Sequence, residues 1–335
     1  MQKKDLSEFN YTYPVLEEET YLAQMKELVD PYLDSLREKI YLPREETQTY
    51  YCEYYLLPEK ERRRGSILIS HGFTESCNKY HEMIYYFLQA GYCVLAVDHR
   101  GHGRSRKMVE ENVAEAPTHV EHFQQYVEDL DEVVRQVLLT RLPGPYYLYA
   151  HSMGGCIGVT YLEKRPGVFT KAVLTAPMME INRGGIPKKV AEMTASLACA
   201  LGKGKKFMTG QGNFSSQLDF EHSASTCEPR YRYYFEQQLQ HPEFQNGGCS
   251  YGWAKEAFAA CNLALEEEPC KKIWIPVLLF QAGQDGFVLP GGQDQLISQI
   301  PHGQIISVPE AKHEIYLTDS ETLGKYVGLI LKFLA

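Results

Sequence analysis

A chain of 335 residues with 44% hydrophobic and 23% charged side chains has the composition of a globular protein able to bury a large core. Its formal net charge of −9 argues against a nucleic-acid partner, whose phosphates demand a basic surface. No run approaches about 18 uninterrupted apolar residues, and MQKKDLSEFNYTYPVL lacks an apolar h-region, so neither a membrane span nor a secretory signal is expected.

In chain order, residues 14–42 read as one amphipathic helix leading in, bounded by Pro14 and Pro43, with Pro31 kinking or ending part of it. Strands are expected at 50–57, 66–70, 93–98, 146–150, 171–176, 275–282 and 304–309. Several of them are apolar without alternation, as strands buried on both faces of a parallel sheet are. Helical patterns lie between them. The run 79–90 ends at Gly91, a natural C-cap, and in 119–142 Val120, Phe123, Val127, Leu130, Val134, Val137 and Leu138 share one face. Residues 154–164 and 320–334 complete the set. Strand–helix alternation of this kind predicts an α/β fold with a mostly parallel, doubly wound sheet. Residues 181–270 break the rhythm with helix-like, glycine-punctuated sequence and read as an inserted helical cap. The expected core is then 1–180 and 271–335, with 1–45 a helical lead-in.

The chemistry is carried by residues at strand ends. Ala150-His151-Ser152-Met153-Gly154 is a near match to the Gly-x-Ser-x-Gly elbow, in which a sharp strand-to-helix turn exposes a serine. Alanine in place of the first glycine costs a methyl group of clearance, which a slight opening of the turn can absorb. A nucleophilic serine needs a base and a carboxylate to orient that base, following in the order serine, acid, histidine. Asp285 in QAGQDGFV follows the strand 275–282, and His313 in PEAKHEIYL follows 304–309, so the candidate triad is Ser152, Asp285 and His313. An oxyanion hole needs two backbone N–H groups. Met153 offers one and Phe73, in SILISHGFTES, the other, with His71 bracing the loop. Among competing acids, Asp294 falls within a helix and Asp98 reads as a structural contact to Arg100 or nearby N–H groups.

No metal or cofactor is expected. His81-Glu82 and His313-Glu314 lack the second histidine of a zinc-binding His-Glu-x-x-His helix, and there is no Gly-x-x-x-x-Gly-Lys stretch. The nine cysteines are scattered, none in a Cys-x-x-Cys pair, which favours a reducing compartment and a cytoplasmic protein.

Assembled, SHGFTES with the following KY, VDHRGHGRS, AHSMGGCIG, LLFQAGQDGFV and PEAKHEIYLTD resemble the serine α/β-hydrolase family of bacterial lysophospholipases and monoacylglycerol lipases. The His-Glu-Ile that begins at His313, and NFSSQLDFEHSASTCEPRYRYYFEQQLQHPEF with GWAKEA, are more similar to the lysophospholipase branch than to the monoglyceride branch. The resemblance implies the same triad, with Phe73 and Met153 as oxyanion donors, acting on a small-molecule acyl ester or lipid with no obligate protein partner. A peptidase or amidase, a short-chain carboxylesterase and a non-catalytic ligand-binding homologue stand as alternatives. In the cap, Met193, Phe207, Met208, Phe214, Trp253 and Phe258 are candidate acyl-chain walls. Arg183, Lys188, Lys189, Lys203, Lys205 and Lys206 make its first half basic, a candidate for transient contact with a membrane surface or phosphate head group.

Overall fold

A computed structural model describes residues 3–44, 49–105 and 116–335; residues 1, 2 and 45 of the expected lead-in lie outside the described residues. Its strands are β1 (Lys4–Asp5), β2 (Arg37–Pro43), β3 (Thr49–Tyr55), β4 (Ser66–Ser70), β5 (Cys93–Val97), β6 (Pro117–Thr118), β7 (Tyr146–His151), β8 (Phe169–Thr175), β9 (Gly247–Cys249), β10 (Val277–Ala282) and β11 (Gly303–Val308). Nine of them form one sheet in the order β1-β11-β10-β8-β7-β4-β5-β3-β2. Every pairing from β1 to β5 along that order is parallel, and only the edge formed by β5, β3 and β2 is antiparallel. The central strands β4, β5 and β10 are buried along their whole length, which explains why their sequences do not alternate.

Helices close over the sheet. Ser152–Lys164 packs on β4, β7 and β8, and His81–Gln89 packs on β5. The last helix, Ser320–Leu334, has the bounds its sequence predicts. It sets the Tyr326 ring 4.6 Å from that of Phe280 and its hydroxyl 2.8 Å from that of Tyr149. No helix among the described residues is long and apolar enough to cross a membrane.

Two expectations are corrected. The lead-in is not one helix over 14–42: helical turns run over 18–36, and Arg37–Pro43 then forms the edge strand β2 against β3. Pro31 does not end the helix, because a π-turn at Met25–Val29 precedes it and the Asp30 N–H bonds to Met25 O. The ladder has therefore widened where the proline's missing donor would otherwise break it. The second helix starts later than 119, with Gln124–Val133, while Pro117–Thr118 pairs with β9.

Residues 181–270 lie between β8 and β10 and hold the helices Lys188–Ala200, Glu228–Gln240, Tyr251–Leu263 and Glu267–Cys270. Lys188–Ala200 packs against Tyr251–Leu263. Glu228–Gln240 is tied to the core by a fully buried arginine: Arg230 Nε lies 3.1 Å from both oxygens of Glu82, and another guanidinium N–H donates to Leu16 O at 2.9 Å.

Candidate active site

The turn from β7 into the helix Ser152–Lys164 is strained at its first helical residue. Ser152 has φ +50, a left-handed conformation costing a non-glycine residue on the order of 1–3 kcal/mol, so the surroundings must hold it. They do so by close approach. A Cβ on Gly154 would lie 2.2 Å from Ser70 O and 2.4 Å from His71 O, and one on Gly155 would lie 2.6 Å from Pro177 Cβ. Met178 N–H donates to Ser152 O at 2.8 Å, fixing the serine's own carbonyl. The Ala150 methyl is fully buried, and a Cβ on Gly158 would come within 3.3 Å of it. The missing side chain of Gly158 makes the room for Ala150, in place of an opened turn.

The three side chains at the strand ends meet. Ser152 Oγ lies 2.8 Å from His313 Nε2, and His313 Nδ1 lies 2.7 Å from Asp285 Oδ2. A carboxylate can only accept, so Nδ1–H donates to Asp285, and the Nε2 lone pair is left to accept from the serine hydroxyl. Asp285 Oδ1 also accepts the N–H groups of Phe287 and Val288, at 2.8 and 3.0 Å. Burial pushes the Asp285 carboxyl up, but the His313 hydrogen bond and charge and the two N–H groups outweigh it and hold it below the ordinary carboxylate value. All three residues have little solvent contact, which strengthens each electrostatic interaction. The competing acids are occupied elsewhere. Asp294 pairs with Lys3 at 2.9 Å, and buried Asp98 accepts the N–H groups of Cys77 and Arg104 at 2.7 and 2.8 Å. Arg100 bonds to Asp129 instead of Asp98.

Met153 opens the first turn of its helix, where backbone N–H groups have no intrahelical acceptor and the helix end is positive. Phe73 sits on the loop after β4. His71 braces that loop as its sequence suggests: Nδ1–H donates to Gly72 O at 2.7 Å, and Nε2 accepts the His99 N–H at 2.9 Å.

A second brace is illegible in one dimension. Glu75, buried beneath the loop, accepts Gly72 N–H at 2.6 Å, Tyr80 O–H at 2.6 Å and Tyr316 O–H at 2.7 Å. Lys79 Nζ lies 3.1 Å from Glu75 and 2.5 Å from Glu314, the residue after His313. A buried acid–lysine–acid bridge therefore links the loop carrying Phe73 to the loop carrying His313. Burial alone would push the Glu75 carboxyl up; the Lys79 charge foremost, with the hydrogen bonds from Tyr80 and Tyr316, holds it well below its usual value. His151, beside the serine, is pushed down to about 3 by burial and is neutral, its ring 4.7 Å from that of His313. The sequence signal for the bridge is the Glu75/Lys79 pair at helical spacing together with His313-Glu314, which only the fold brings together.

Residues 181–270 contribute unequally. The Trp253 ring lies against that of Phe73, tilted by 43° with centroids 4.1 Å apart, and so stands at the site. Phe258 is buried in the core, Phe207 bridges to Ser250, Met208 packs against the core and Phe214 faces Phe235. Met193 is 70% exposed and is not a wall, because its helix turns Ala191, Ala195 and Ala198 inward. From the other half, Ala224 O accepts the Glu314 N–H at 2.9 Å and Leu317 O accepts the Cys227 N–H at 3.2 Å, which steadies the His313 loop. Phe287 covers His313 from the other side, with ring centroids 5.2 Å apart. Among the described residues no cluster of three or more histidine, cysteine or acidic side chains is placed to hold a metal.

Comparison with known proteins gives the family and the fold. The family model Hydrolase_4, described as "Serine aminopeptidase, S33", matches residues 61–321. The chain is 29% identical over 268 residues to a probable lysophospholipase L2 of Haemophilus influenzae, covering 78% of this chain and 80% of that protein. It is 32% identical over 227 residues to lysophospholipase L2 of Escherichia coli K12, covering 66% of this chain and 64% of that protein. Among solved structures, a thermostable carboxyl esterase from Bacillus coagulans superposes with a TM-score of 0.69 at 18% identity, over 89% of this chain and 98% of that one. A soluble variant of monoglyceride lipase from Saccharomyces cerevisiae gives 0.68 at 18% identity, over 89% and 96%. The fold is that of an α/β-hydrolase.

Proposed function

Because the chain belongs to the Hydrolase_4 family of serine hydrolases, we propose that it cleaves carboxylic esters of lipids, with lysophospholipids or monoacylglycerols as substrates, through an acyl-enzyme on Ser152. The observation that carries the reading is the unbroken line from Ser152 Oγ through His313 to Asp285, at 2.8 and 2.7 Å. His313 Nε2 takes the serine proton as Oγ forms its bond to the acyl carbonyl carbon. The negative charge that develops on the carbonyl oxygen is met by the N–H groups of Phe73 and Met153. His313 returns its proton to the departing alcohol as the ester C–O bond breaks. A water, deprotonated by the same nitrogen, then releases the fatty acid and restores Ser152. Asp285 stays ionised throughout and holds the imidazole in the tautomer that can accept from serine.

Residues 181–270 serve as the cap over this site, with Trp253 against Phe73 as an acyl-chain wall. The two curated relatives named lysophospholipase support the head-group class. Nine unpaired thiols, eight of them buried, favour a reducing compartment, the cytoplasm.

The test is a panel of esters from acetyl to palmitoyl, with lysophosphatidylcholine and monoacylglycerol included, on wild type and Ser152→Ala. Wild type should hydrolyse the lipid esters and label with a fluorophosphonate, and the variant should do neither. Undiminished activity in Ser152→Ala overturns the mechanism. The family's description as an aminopeptidase supports one second reading, peptide or amide hydrolysis by the same machinery. Faster turnover of an aminoacyl amide than of a fatty-acyl glycerol would select it.

A further inference from the structure

A cavity lies away from the triad, between the outer strands of the sheet and the last helix. Its volume is about 420 Å³, within the range of small-molecule sites. Leu278, Ile305 and Ile306 of β10 and β11 line it, with Leu329 and Phe333 of the helix Ser320–Leu334 and Phe9 of the N-terminal segment. No residue of the triad, of the Phe73 loop or of 181–270 takes part in its wall. Leu278 and Gly303 mark the beginnings of β10 and β11, whereas Asp285 and His313 follow their ends. The N-terminal segment is seated on the helix by close contact. Tyr13 N–H donates to Gly324 O at 2.9 Å, and a Cβ on Gly328 would lie 2.9 Å from Tyr11 O.

The polar side chains on this wall are Lys4, Gln304 and Lys332, all exposed, and no acid joins them among the described residues. Rings, not carboxylates, hold the two ammonium groups. Lys332 Nζ lies 3.6 Å from the centroid of the Tyr11 ring, and Lys4 Nζ lies 5.9 Å from that of Phe9. A ring face positions a cation without cancelling its charge. The acids nearest in the chain are occupied elsewhere: Asp5 accepts from the N–H and O–H of Ser7, and Glu8 accepts the Asp5 N–H. Nor is Lys332 needed at the helix end, because Lys171 Nζ already donates to Phe333 O at 2.7 Å and to Leu334 O at 3.2 Å. In a chain of net charge −9, two cations without an acidic partner thus share one apolar recess.

We infer that this cavity binds a long-chain carboxylate, a fatty-acid anion, with its chain on Leu278, Ile305, Leu329 and Phe333 and its head group at Lys4 and Lys332. Apolar walls with cations as their only charges select an amphiphile whose single polar end is an anion. A neutral lipid leaves both ammonium groups without a counter-charge, and a compact anion such as phosphate leaves the apolar walls in water. The inference rests on the lipid-ester reading only for the source of the ligand, since a fatty acid is the product of that reaction. Bound here, it occupies no part of the catalytic site.

The experiment is calorimetric titration with laurate below its critical micelle concentration, on wild type, Lys4→Gln/Lys332→Gln and Leu329→Trp. Each is measured with and without prior treatment by a dodecyl fluorophosphonate, which fills the acyl site at Ser152. Treated wild type should still bind a single laurate per chain. The lysine pair should bind it about tenfold more weakly, and dodecanol should bind treated wild type about tenfold more weakly than laurate does. Leu329→Trp, whose indole fills the cavity, should show no saturable binding. Urea midpoints equal to wild type report that the variants are folded; if Leu329→Trp does not fold, the lysine pair, exposed at both positions, decides alone. Absence of laurate binding by treated wild type overturns the inference, as does wild-type affinity in the lysine pair or equal affinity for dodecanol. Lysine-dependent laurate binding by a protein with no esterase activity would sink the catalytic reading and leave the cavity site standing.

Discussion

Two of the three thirteen-residue helices within residues 181–270, Lys188–Ala200 and Glu228–Gln240, behave in opposite ways. Glu228–Gln240 is the more polar in sequence, EPRYRYYFEQQLQ, yet it buries Arg230, Tyr233, Tyr234 and Phe235. Lys188–Ala200, KKVAEMTASLACA, is the more apolar and buries only alanines. The difference lies in what each face meets. Arg230 finds Glu82, Leu16 O and Thr318 O, so a buried cation has its charge balanced and its donors filled. Tyr234 receives Lys79 over its ring, at 5.1 Å, and so joins the bridge beneath the site. The outward helix meets the alanine-rich Tyr251–Leu263, against which only small side chains let two helices close. Side-chain polarity therefore does not say which part of an insertion is anchored; the partner groups do.

The largest effect should come from breaking the anchor. Arg230→Ala leaves Glu82 buried without its cation and should cost about 3–5 kcal/mol, read from urea unfolding. An unfolding midpoint unmoved from wild type would mean that Glu228–Gln240 is held by its tyrosines alone. Next comes the bridge that this side of the insertion covers. Glu75→Gln cannot balance Lys79 and keeps fewer acceptors for Gly72 N–H, Tyr80 and Tyr316. Stability should fall by about 1–3 kcal/mol. If the bridge positions the Phe73 loop, kcat falls about tenfold with KM little changed, the signature of an interaction made in the transition state. A stability loss with wild-type kcat would make the bridge structural only.

Acid should loosen the strand-end loops around the site, where the buried histidines lie, and spare the outward helix, which holds no histidine. Burial keeps His71, His99, His119 and His151 below the ordinary imidazole value. Each contributes stability that is complete above the unfolded value of about 6.5 and is lost as pH falls below it. Burial pulls His81 down too, but its hydrogen bonds to Asp30 and Glu53 lift it above that value, so it acts in the opposite sense. Glu163, whose carboxyl burial pushes up to about 7, also adds stability as pH falls through that range. With four against two, Tm should drop between pH 7 and pH 5, and a flat or rising Tm would contradict the buried neutral state. The smallest effect is expected on the outward face: Leu197→Ser should change stability by less than about 0.5 kcal/mol by the same urea assay.

The strand ends were legible because they are local. A buried apolar run followed by a turn places its next polar residue at the sheet's edge, so Ser152, Asp285 and His313 could each be singled out, and the fold supplied the distances between them. The Arg37–Pro43 strand was missed because Ile40 and Leu42 also suit a continuing helix, and only the pairing with β3 decides between the two. Met193 was misplaced for a related reason: periodicity defines a helix face but not the direction in which it points. Arg230 gave no signal and the Glu75/Lys79 spacing only an ambiguous one, since charged residues in a polar helix or loop read as solvated until their partners, 148 residues from Arg230 and 241 from Glu75, are brought to them.

The contact between Ala150 and the empty position at Gly158 bears on how such elbows are recognised. What the turn restricts is the combined volume of two residues eight apart, one on the strand and one on the helix that leaves it. Ala150 carries its methyl where Gly158 has none; for the converse, Leu148 Cδ2, 2.9 Å from a Cβ on Gly158, must also give way. A search template that insists on glycine at the first position tests half of a two-part rule and passes over chains that satisfy it from the other side. Exchange at both positions, Ala150→Gly with Gly158→Ala, conserves that volume, and the double variant should retain more activity than Gly158→Ala alone.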